Sequence, residues 1–174
     1  MIGGIAVSFR TVARTTNDLD LAVSVASDEE AEATVRALTA VGYAVETFLE
    51  QDTAKRLATV RLLSPDNKEL LVDLLFASSG IEPEVVELAT EADLTPALRA
   101  HVATIPSLIA LKVLSANTKT RLKDLVDLQS LFGKAQQNEI EEAKHLLRLI
   151  TERGFNRDKD LQADFERYLG ELSE

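Results

Sequence analysis

The chain has 174 residues, a formal net charge of −10 and no cysteine. This length allows one domain, or one domain with a small helical appendage, and the missing cysteines exclude disulfide frameworks, thiolate zinc sites and cysteine nucleophiles. The acidic balance and an aromatic content of 5 %, with no tryptophan, exclude general electrostatic or base-stacking recognition of nucleic acid, so any such contact requires a local basic patch.

The sequence also shows no targeting or membrane-spanning segment. It has no run of about 18 apolar residues, and its first residues lack the basic and apolar regions of a signal peptide. We therefore expect a cytoplasmic protein with no membrane partner.

The first half of the chain alternates strands with a helix. Residues 18–25 alternate strictly between an aliphatic face and a face that carries Asp18 and Asp20, which predicts a strand. An acidic first turn and helical periodicity predict a helix from residue 28 that ends at Gly42. The elements predicted after this helix are strands over 43–50, 56–64 and 69–76 and a turn over 64–67.

From residue 81 onward the pattern changes. Residues 81–105 contain two prolines and are predicted to be irregular or to form short helices. We therefore expect an α/β (α+β) core over 1–80, a connecting segment over 81–105 and a helical part over 106–174 that packs on the core. The helices predicted in this last part cover 106–116, 119–133, 138–152 and 160–172.

Three acids lie within strands that are otherwise largely apolar. Asp18 and Asp20 occupy positions i and i+2 of one strand, so they share a face and lie about 6.5–7 Å apart along the chain. Asp73 interrupts the apolar run ELLVDLLF, where an unpaired carboxylate is costly. Such carboxylates are ligands for Mg²⁺, and the three together would repel each other without a cation. The alternative is a salt bridge to a nearby Arg or Lys, or a strand-end aspartate that reaches water.

A Gly-Gly pair precedes these acids in a recognisable order. The stretch GGIAVSFRTVARTTNDLDLAV, which begins at Gly3, resembles the signature of the minimal nucleotidyltransferases of the polymerase-β-like superfamily. In that signature an apolar residue and Gly-Gly or Gly-Ser come before an Asp-apolar-Asp-apolar strand. Glycines let backbone amides approach a ligand closely, and amides at the start of a helix attract phosphate.

Within this superfamily the chain resembles the AbiEii-type branch, the nucleotidyltransferase toxins of toxin–antitoxin modules and their relatives. That branch shows an Arg-x-Ser/Thr-x-Asp segment before the acids, matched by Arg14, Thr16 and Asp18. It then shows an apolar helix with LxALK, matched by LIALK ending at Lys112, and a basic residue before Asp-x-x-Asp, matched by LKDLVDL. In the family a helix and a full strand precede Gly-Gly. Here we expect a strand reduced to a stub, a start further upstream, or an edge supplied by another chain.

The resemblance implies a nucleotidyltransferase fold with a mixed sheet and flanking helices, followed by a C-terminal helical bundle. It implies transfer of a nucleoside monophosphate from an NTP to an acceptor, with Asp18 and Asp20 holding Mg²⁺ or Mn²⁺. Asp73 would bind the metal nearest the acceptor and help to deprotonate its hydroxyl, and Lys112 would point at the phosphates. The other residues assigned by resemblance are Gly3, Gly4, Ser8, Arg10, Arg14 and Thr16 at the nucleotide, Asp127 in catalysis and Asp124 in support.

The helix predicted over 119–133 carries two of these acids close to its apolar arc. A rotation of about 100° per residue places Asp124 inside the arc and Asp127 at its margin. Acids at a packed face require a cation, and Lys112 is the natural partner, the alternative being a helix-surface salt bridge to Lys123 or Arg121. The arc consists of Leu122, Leu125, Val126, Leu128 and Leu131.

The pattern leaves the acceptor open among a tRNA end, a protein side chain and a small molecule such as an aminoglycoside. The acidic net charge disfavours tRNA as the acceptor unless basic residues gather around the cleft. The resemblance also implies a partner antitoxin. The alternatives are a catalytically inactive nucleotide-binding or protein-interaction module of the same fold, and a structural domain with an accidental Asp-x-Asp. The basic residues in question are Arg10, Arg14, Lys55, Arg56 and Arg61.

Overall fold

The structure is a computed structural model that describes residues 1–12, 15–51, 56–67, 69–116 and 122–172. It consists of a mixed four-stranded sheet, helices that cover the sheet and a C-terminal group of helices. The helices are α1 (Gly3–Arg10), α2 (Asp28–Ala40), α3 (Glu82–Leu88), α4 (Ile105–Ser115), α5 (Leu122–Phe132), α6 (Gln137–Glu152) and α7 (Leu161–Leu172). The strands are β1 (Asp18–Ala22), β2 (Ala44–Glu50), β3 (Leu57–Leu63), β4 (Leu71–Leu75), β5 (Thr90–Thr95) and β6 (Leu98–Val102).

The four-stranded sheet has the order β1-β4-β3-β2. Strands β1 and β4 run parallel, whereas β3 is antiparallel to both β4 and β2. The predicted mixed α/β class is therefore confirmed, as are the helix from residue 28 and the helices of the C-terminal part, each within a few residues at its ends. None of the described helices is both long enough and apolar enough to cross a membrane.

The start and the end of α2 illustrate why the local sequence predicts its elements well. The side chain of Ser27 accepts a hydrogen bond from the amide of Glu30, whose carboxylate in turn accepts one from the amide of Ala26. The first bond satisfies an amide that the first turn leaves without a helical partner, and the second holds the residue just before the N-cap. Gly42, just beyond the helix, has φ +103°, a conformation that side chains with a Cβ rarely adopt.

The segment 81–105 differs from the prediction, because it contains the hairpin of β5 and β6 in addition to the short helix α3. Most side chains of both strands are exposed, so the apolar alternation that identifies a strand is weak there. Ala92 and Leu94 pack inward against the helical core, and Val102 is fully buried. These contacts hold the hairpin against the helices.

Two apolar clusters lie on the two sides of this architecture. One faces α2 and joins Ala31 to the aliphatic side chains of the sheet, including the predicted apolar face of β1. The other is larger, contains α1 and the C-terminal helices, and includes an edge-to-face contact of Phe132 and Phe165 at 5.6 Å. Because α1 packs in the helical cluster while it begins beside β1, it connects the C-terminal helices to the sheet.

The first two residues fix where α1 begins. The amide of Ile2 donates to the carbonyl of Asp20 at 2.9 Å, and the ammonium of Met1 donates to the carbonyl of His101 at 2.7 Å. The amide of Ala103 donates to the carbonyl of Met1 at 2.9 Å. These residues therefore lie between β1 and the end of β6, and the N-terminus of α1 is placed beside Asp20.

The loop after β4 is fastened to the connection between α6 and α7. Buried Glu82 accepts hydrogen bonds of 2.7–2.9 Å from the amides of Ser78 and Ser79 and from the Ser79 hydroxyl. The guanidinium of Arg153 donates to the carbonyl of Gly80. Gly80 has φ +74°, and a Cβ on it would lie 2.5 Å from the ring of Phe155. This loop therefore requires glycine at residue 80.

We predict that Gly80→Ala lowers the free energy of unfolding by about 2–4 kcal/mol, because it adds left-handed backbone strain to a clash with an aromatic ring. The matched control is Gly170→Ala in α7, where a Cβ would meet nothing within 4 Å. That change should raise the free energy of unfolding by about 0.5–1 kcal/mol, since alanine favours a helix. Urea denaturation measures both. Equal effects of the two substitutions would contradict this account of the loop.

Candidate active site

A row of polar side chains crosses one face of the sheet. Asp20 of β1 is in register with Asp73 of β4, Asp73 is in register with Arg61 of β3, and Arg61 is in register with Thr47 of β2. Side chains in register on neighbouring strands project from the same face. We call these four residues the polar row, and it places two acids and one arginine side by side.

The polar row forms one wall of a cleft of about 420 Å³. The opposite wall is helix α4, which contributes Lys112 and Ser115, and the loop residues Ser78 and Ser79 and the connector residue Arg157 line the same cleft. Three leucines of α4 make up half of the apolar side chains that line it. The cleft therefore sets carboxylates against a lysine across a partly apolar space.

Asp20 lies against the N-terminus of α1. A hydrogen bond from the backbone of Gly4 favours its ionised form, and a Cβ on Gly3 would lie only 1.9 Å from its Oδ2 atom. Gly3 also has φ +67°. Both the close approach of the carboxylate and the left-handed backbone therefore require glycine there. The amide at which the sequence predicts a phosphate interacts with Asp20 in this structure.

The electrostatic surroundings of Asp20 disfavour its ionised form. Burial raises the pKa of its carboxyl above the ordinary value of 3.8, and the neighbouring charge of Asp73 raises it further. The charge of Asp18 acts in the same direction, whereas Lys112 and the Gly4 backbone lower the pKa. Two acids in register on parallel strands therefore repel each other, which is the arrangement that a bound cation relieves.

Asp73 is held by Arg61. The guanidinium donates from Nε to Oδ1 at 2.7 Å and from Nη2 to Oδ2 at 2.6 Å, so the pair is bidentate. These bonds raise the pKa of Arg61 above its ordinary value and keep it charged. Among the alternatives left by the sequence, Asp73 thus adopts the salt bridge to an arginine in this structure.

Lys112 lies between two buried acids of α5. Its Nζ is 2.7 Å from Oδ1 of Asp124 and 2.7 Å from Oδ2 of Asp127, and Asp124 also accepts from the Ser115 hydroxyl at 3.1 Å. The side chains of Lys112, Asp124 and Asp127 are 14 %, 5 % and 1 % exposed. Lys112 is therefore the cation that pairs with these acids, as expected, and the pairing is buried instead of lying on the helix surface.

The arc itself differs from the prediction. Leu122 and Val126 are 66 % and 58 % exposed, whereas Asp124 and Asp127 are buried with Leu128 and Leu131. The acids of α5 therefore face inward, where they pair with Lys112, and Leu122 and Val126 of the predicted apolar arc face solvent. Burial without a partner would cost these acids more than the exposure of two aliphatic side chains.

Other residues assigned from the sequence lie elsewhere. Arg10, at the end of α1, donates to the carbonyls of Val102 and Ala103 and to the Thr90 hydroxyl, so its guanidinium fastens the hairpin. Ser8 and Thr16 are partly buried and do not line the cleft. Asp18 lies on the face of Asp20 and acts electrostatically on Asp20 and Arg61 without lining the cleft.

The basic residues expected to gather around the cleft do so only in part. Arg61 lines it, whereas Arg56 pairs with Asp28 at 3.2 Å, on α2, and Arg10 is bound to the hairpin. Arg14, Lys55 and Arg121 lie outside the described residues. The described part of the chain therefore does not gather the patch that the sequence requires for general binding of tRNA.

Sequence reasoning named Arg61 among the basic residues of the cleft but missed its pairing with Asp73, and it missed the cleft positions of Arg157 and Ser78. Arg61 had a usable signal, because it alternates with Val60 and Leu62 on β3 and an acid in the next strand needs a partner. The other two had none, since only the tertiary fold brings the α6–α7 connector to the loop after β4. There Arg157 has φ 55° and donates to the carbonyl of Ser78 at 3.1 Å.

The chemistry of the acids fits a divalent metal. Asp18, Asp20 and Asp73 supply carboxylate oxygens, the ligands that Mg²⁺ and Mn²⁺ accept, and they lie on one face of adjacent strands. Burial and the neighbouring charge of Asp73 raise the pKa of Asp20, so a cation beside it would favour its ionised form. Within the described ranges, however, no three acids or histidines converge on one point, because Asp73 is turned to Arg61. The cleft can thus accept a cation on one wall and phosphates facing Lys112 on the other.

Comparison with known families identifies the class. A family model described as "Nucleotidyl transferase AbiEii toxin, Type IV TA system" matches residues 1–173. The protein is therefore a nucleotidyltransferase. It belongs to the AbiEii family of toxin–antitoxin systems, which confirms the resemblance stated from the motifs.

Chains of solved structures also match this protein. The chain is similar to an antigenic nucleotidyltransferase-like protein from Paracoccidioides brasiliensis, with 16 % identity and a TM-score of 0.47. The match covers 95 % of this chain and 82 % of that chain. The curated proteins contain no match.

We predict that Asp20→Asn raises the melting temperature, because it removes an ionised group that burial and Asp73 disfavour. The pKa of Asp20 is higher in the folded protein than in the unfolded chain, so its ionisation destabilises the fold as the pH rises through the raised value. The gain over wild type should therefore be largest at neutral pH and shrink toward pH 3.8. Scanning calorimetry across this range checks it, and a gain that grows in acid would contradict the assignment.

We predict that Lys112→Met lowers the free energy of unfolding by about 3–5 kcal/mol, because it leaves two buried carboxylates without their cation. Adding Asp127→Asn should recover about 1–3 kcal/mol, so that the double variant is less destabilised than the sum of the single variants. A double-mutant cycle in urea measures this coupling. Strict additivity would mean that the ion pair contributes no coupling energy.

Proposed function

We propose that the protein transfers a nucleoside monophosphate from an NTP to a hydroxyl-bearing acceptor in this cleft and releases pyrophosphate, with Asp18, Asp20 and Asp73 holding a divalent cation. The observation that carries the proposal is the polar row facing Lys112: two acids in register on parallel strands lie across one cleft from a lysine. Nucleotidyl transfer needs both, since cation ligands and a phosphate-binding charge must act on the same substrate. Mg²⁺ and Mn²⁺ are the cations that these oxygen ligands suit.

The chain's own groups divide the work as follows. When bound, the cation would neutralise the triphosphate and activate the acceptor hydroxyl. Lys112 would contact the phosphates, held in one position because Asp124 and Asp127 each lie 2.7 Å from its Nζ. Asp73, one strand further from α1 than Asp20, would receive the proton of the acceptor hydroxyl. Glycine at residue 3 would let the Asp20 carboxylate keep its position against the start of α1.

The acceptor and the partner are proposed in general terms. A tRNA end, a protein side chain and a small molecule all offer a hydroxyl, and the cleft adds Arg61 and Arg157 as groups that favour an acceptor with anionic neighbours. The family description names a toxin–antitoxin system. We therefore include a cognate antitoxin as the partner of this protein.

The test is incubation of the purified protein with each α-labelled NTP, Mg²⁺ or Mn²⁺, and total cellular RNA or protein. Wild type should label one fraction, and Asp18→Asn with Asp20→Asn should lower the labelling at least about 100-fold, as removal of charge-stabilising groups does. The matched control is Asp93→Asn, an exposed acid that pairs with Arg99 on the hairpin, which should label like wild type.

Two results would contradict the proposal. Undiminished labelling by the Asp18/Asp20 double variant would mean that these acids are not the catalytic ligands. NTP-dependent thermal stabilisation of wild type without any labelling would instead identify a nucleotide-binding module that lacks transfer activity.

A further inference from the structure

The bidentate pair of Arg61 and Asp73 occupies the centre of the cleft. Both carboxylate oxygens of Asp73 accept from the guanidinium, at 2.7 and 2.6 Å. The Arg61 side chain is 36 % exposed and that of Asp73 is 12 % exposed. Asp73 therefore offers both its oxygens to Arg61, while the guanidinium keeps a solvent-facing side.

This pair conflicts with a ligand role for Asp73. A carboxylate that accepts two charge-assisted hydrogen bonds from one guanidinium cannot also direct those lone pairs at a cation, and the cation would be repelled by the positive charge beside it. Over the described residues no three acids converge as a metal site, in agreement with this arrangement. Asp73 becomes available only if Arg61 moves.

The ligand of the proposed function brings a partner for each member of the pair. An NTP with its cation carries phosphate oxygens and a metal together, so Arg61 can move to a phosphate as Asp73 turns to the metal. Neither group is left without an opposite charge, which avoids the large cost of breaking a buried pair by removing one partner. The guanidinium suits both positions, since its planar donors match carboxylate and phosphate alike.

We propose that Arg61 is a further substrate-binding residue, which holds Asp73 in the nucleotide-free protein and exchanges it for a phosphate of the incoming nucleotide. The proposal rests on the proposed function for the identity of the ligand. It predicts that the nucleotide-free protein binds divalent metal weakly, and that nucleotide and metal enter the cleft together. Arg61 thereby couples the two binding events.

The first experiment is a calorimetric titration of the nucleotide-free protein with Mn²⁺. Arg61→Gln should bind Mn²⁺ about tenfold more tightly than wild type, because a positive charge next to the acids is gone and Asp73 is released. The matched control is Arg99→Gln, which removes an exposed arginine that pairs with Asp93 at 2.7 Å on the hairpin. It should bind Mn²⁺ as wild type does. An Arg61→Gln protein that is folded and binds Mn²⁺ no more tightly overturns the proposal.

The second experiment uses inorganic pyrophosphate without metal, and Asp73→Asn in place of a change at Arg61. Asp73→Asn should bind pyrophosphate several-fold more tightly than wild type, because it frees Arg61, and adding Arg61→Gln should abolish that gain. Unchanged pyrophosphate affinity in Asp73→Asn overturns the exchange even if Arg61→Gln fails to fold.

The outcome is separate from that of the labelling test. If wild type transfers a nucleotide but both titrations show no change, only the role of Arg61 is wrong. If the titrations behave as expected while wild type labels no acceptor, the exchange stands as a binding mechanism and the proposed transfer activity fails.

Discussion

The ion pair between Arg61 and Asp73 is the contact on which the arrangement of the cleft depends. Two carboxylates lie in register on adjacent parallel strands, and their repulsion helps to raise the pKa of Asp20. Arg61 on the next strand neutralises one of them with two short hydrogen bonds, and the Gly4 backbone partly compensates the other. The acids of this sheet face are therefore partly compensated by the chain's own groups.

On the opposite wall the charge that needs a partner is a cation. Lys112 on α4 is held in place by two acids that α5 buries, while Leu122 and Val126 of α5 are exposed. Asp73 on one wall and Lys112 on the other are thus each paired with an opposite charge on their own side of the cleft, whose volume is about 420 Å³. Under the proposed exchange, a ligand that combines phosphates with a metal would replace partners on the sheet wall without leaving a buried charge uncompensated.

The sequence could predict the elements whose signals are local. The acidic first turn of α2, the glycine after it and the strict alternation around Asp18 and Asp20 depend on neighbouring residues alone. Helix α2 matches its predicted position closely, and β1 begins at the predicted residue but ends at Ala22, three residues before its predicted end. The pairing of Lys112 with acids of α5 could also be predicted, because a packed helix face with carboxylates requires a cation. The resemblance to nucleotidyltransferases then placed these residues in one site.

Other features depend on the tertiary fold and left no local signal. The hairpin of β5 and β6 exposes most of its side chains, so its pattern does not resemble a half-buried strand. Arg157 reaches the cleft only because the α6–α7 connector lies on the loop after β4. The resemblance assigns Arg10 to the nucleotide, whereas in the structure its guanidinium binds carbonyls at the hairpin. The packing of α1 sets the position of Arg10, and the motif carries no signal of that packing.

The most direct test of this account is a crystal structure of the protein with Mn²⁺ and a non-hydrolysable NTP, in which anomalous scattering locates the metal. We expect an anomalous peak within coordination distance of Asp20 and Asp73, phosphates facing Lys112, and the Arg61 guanidinium on a phosphate instead of on Asp73. A nucleotide bound elsewhere, or a metal in the cleft with the Arg61–Asp73 pair unbroken, would contradict it.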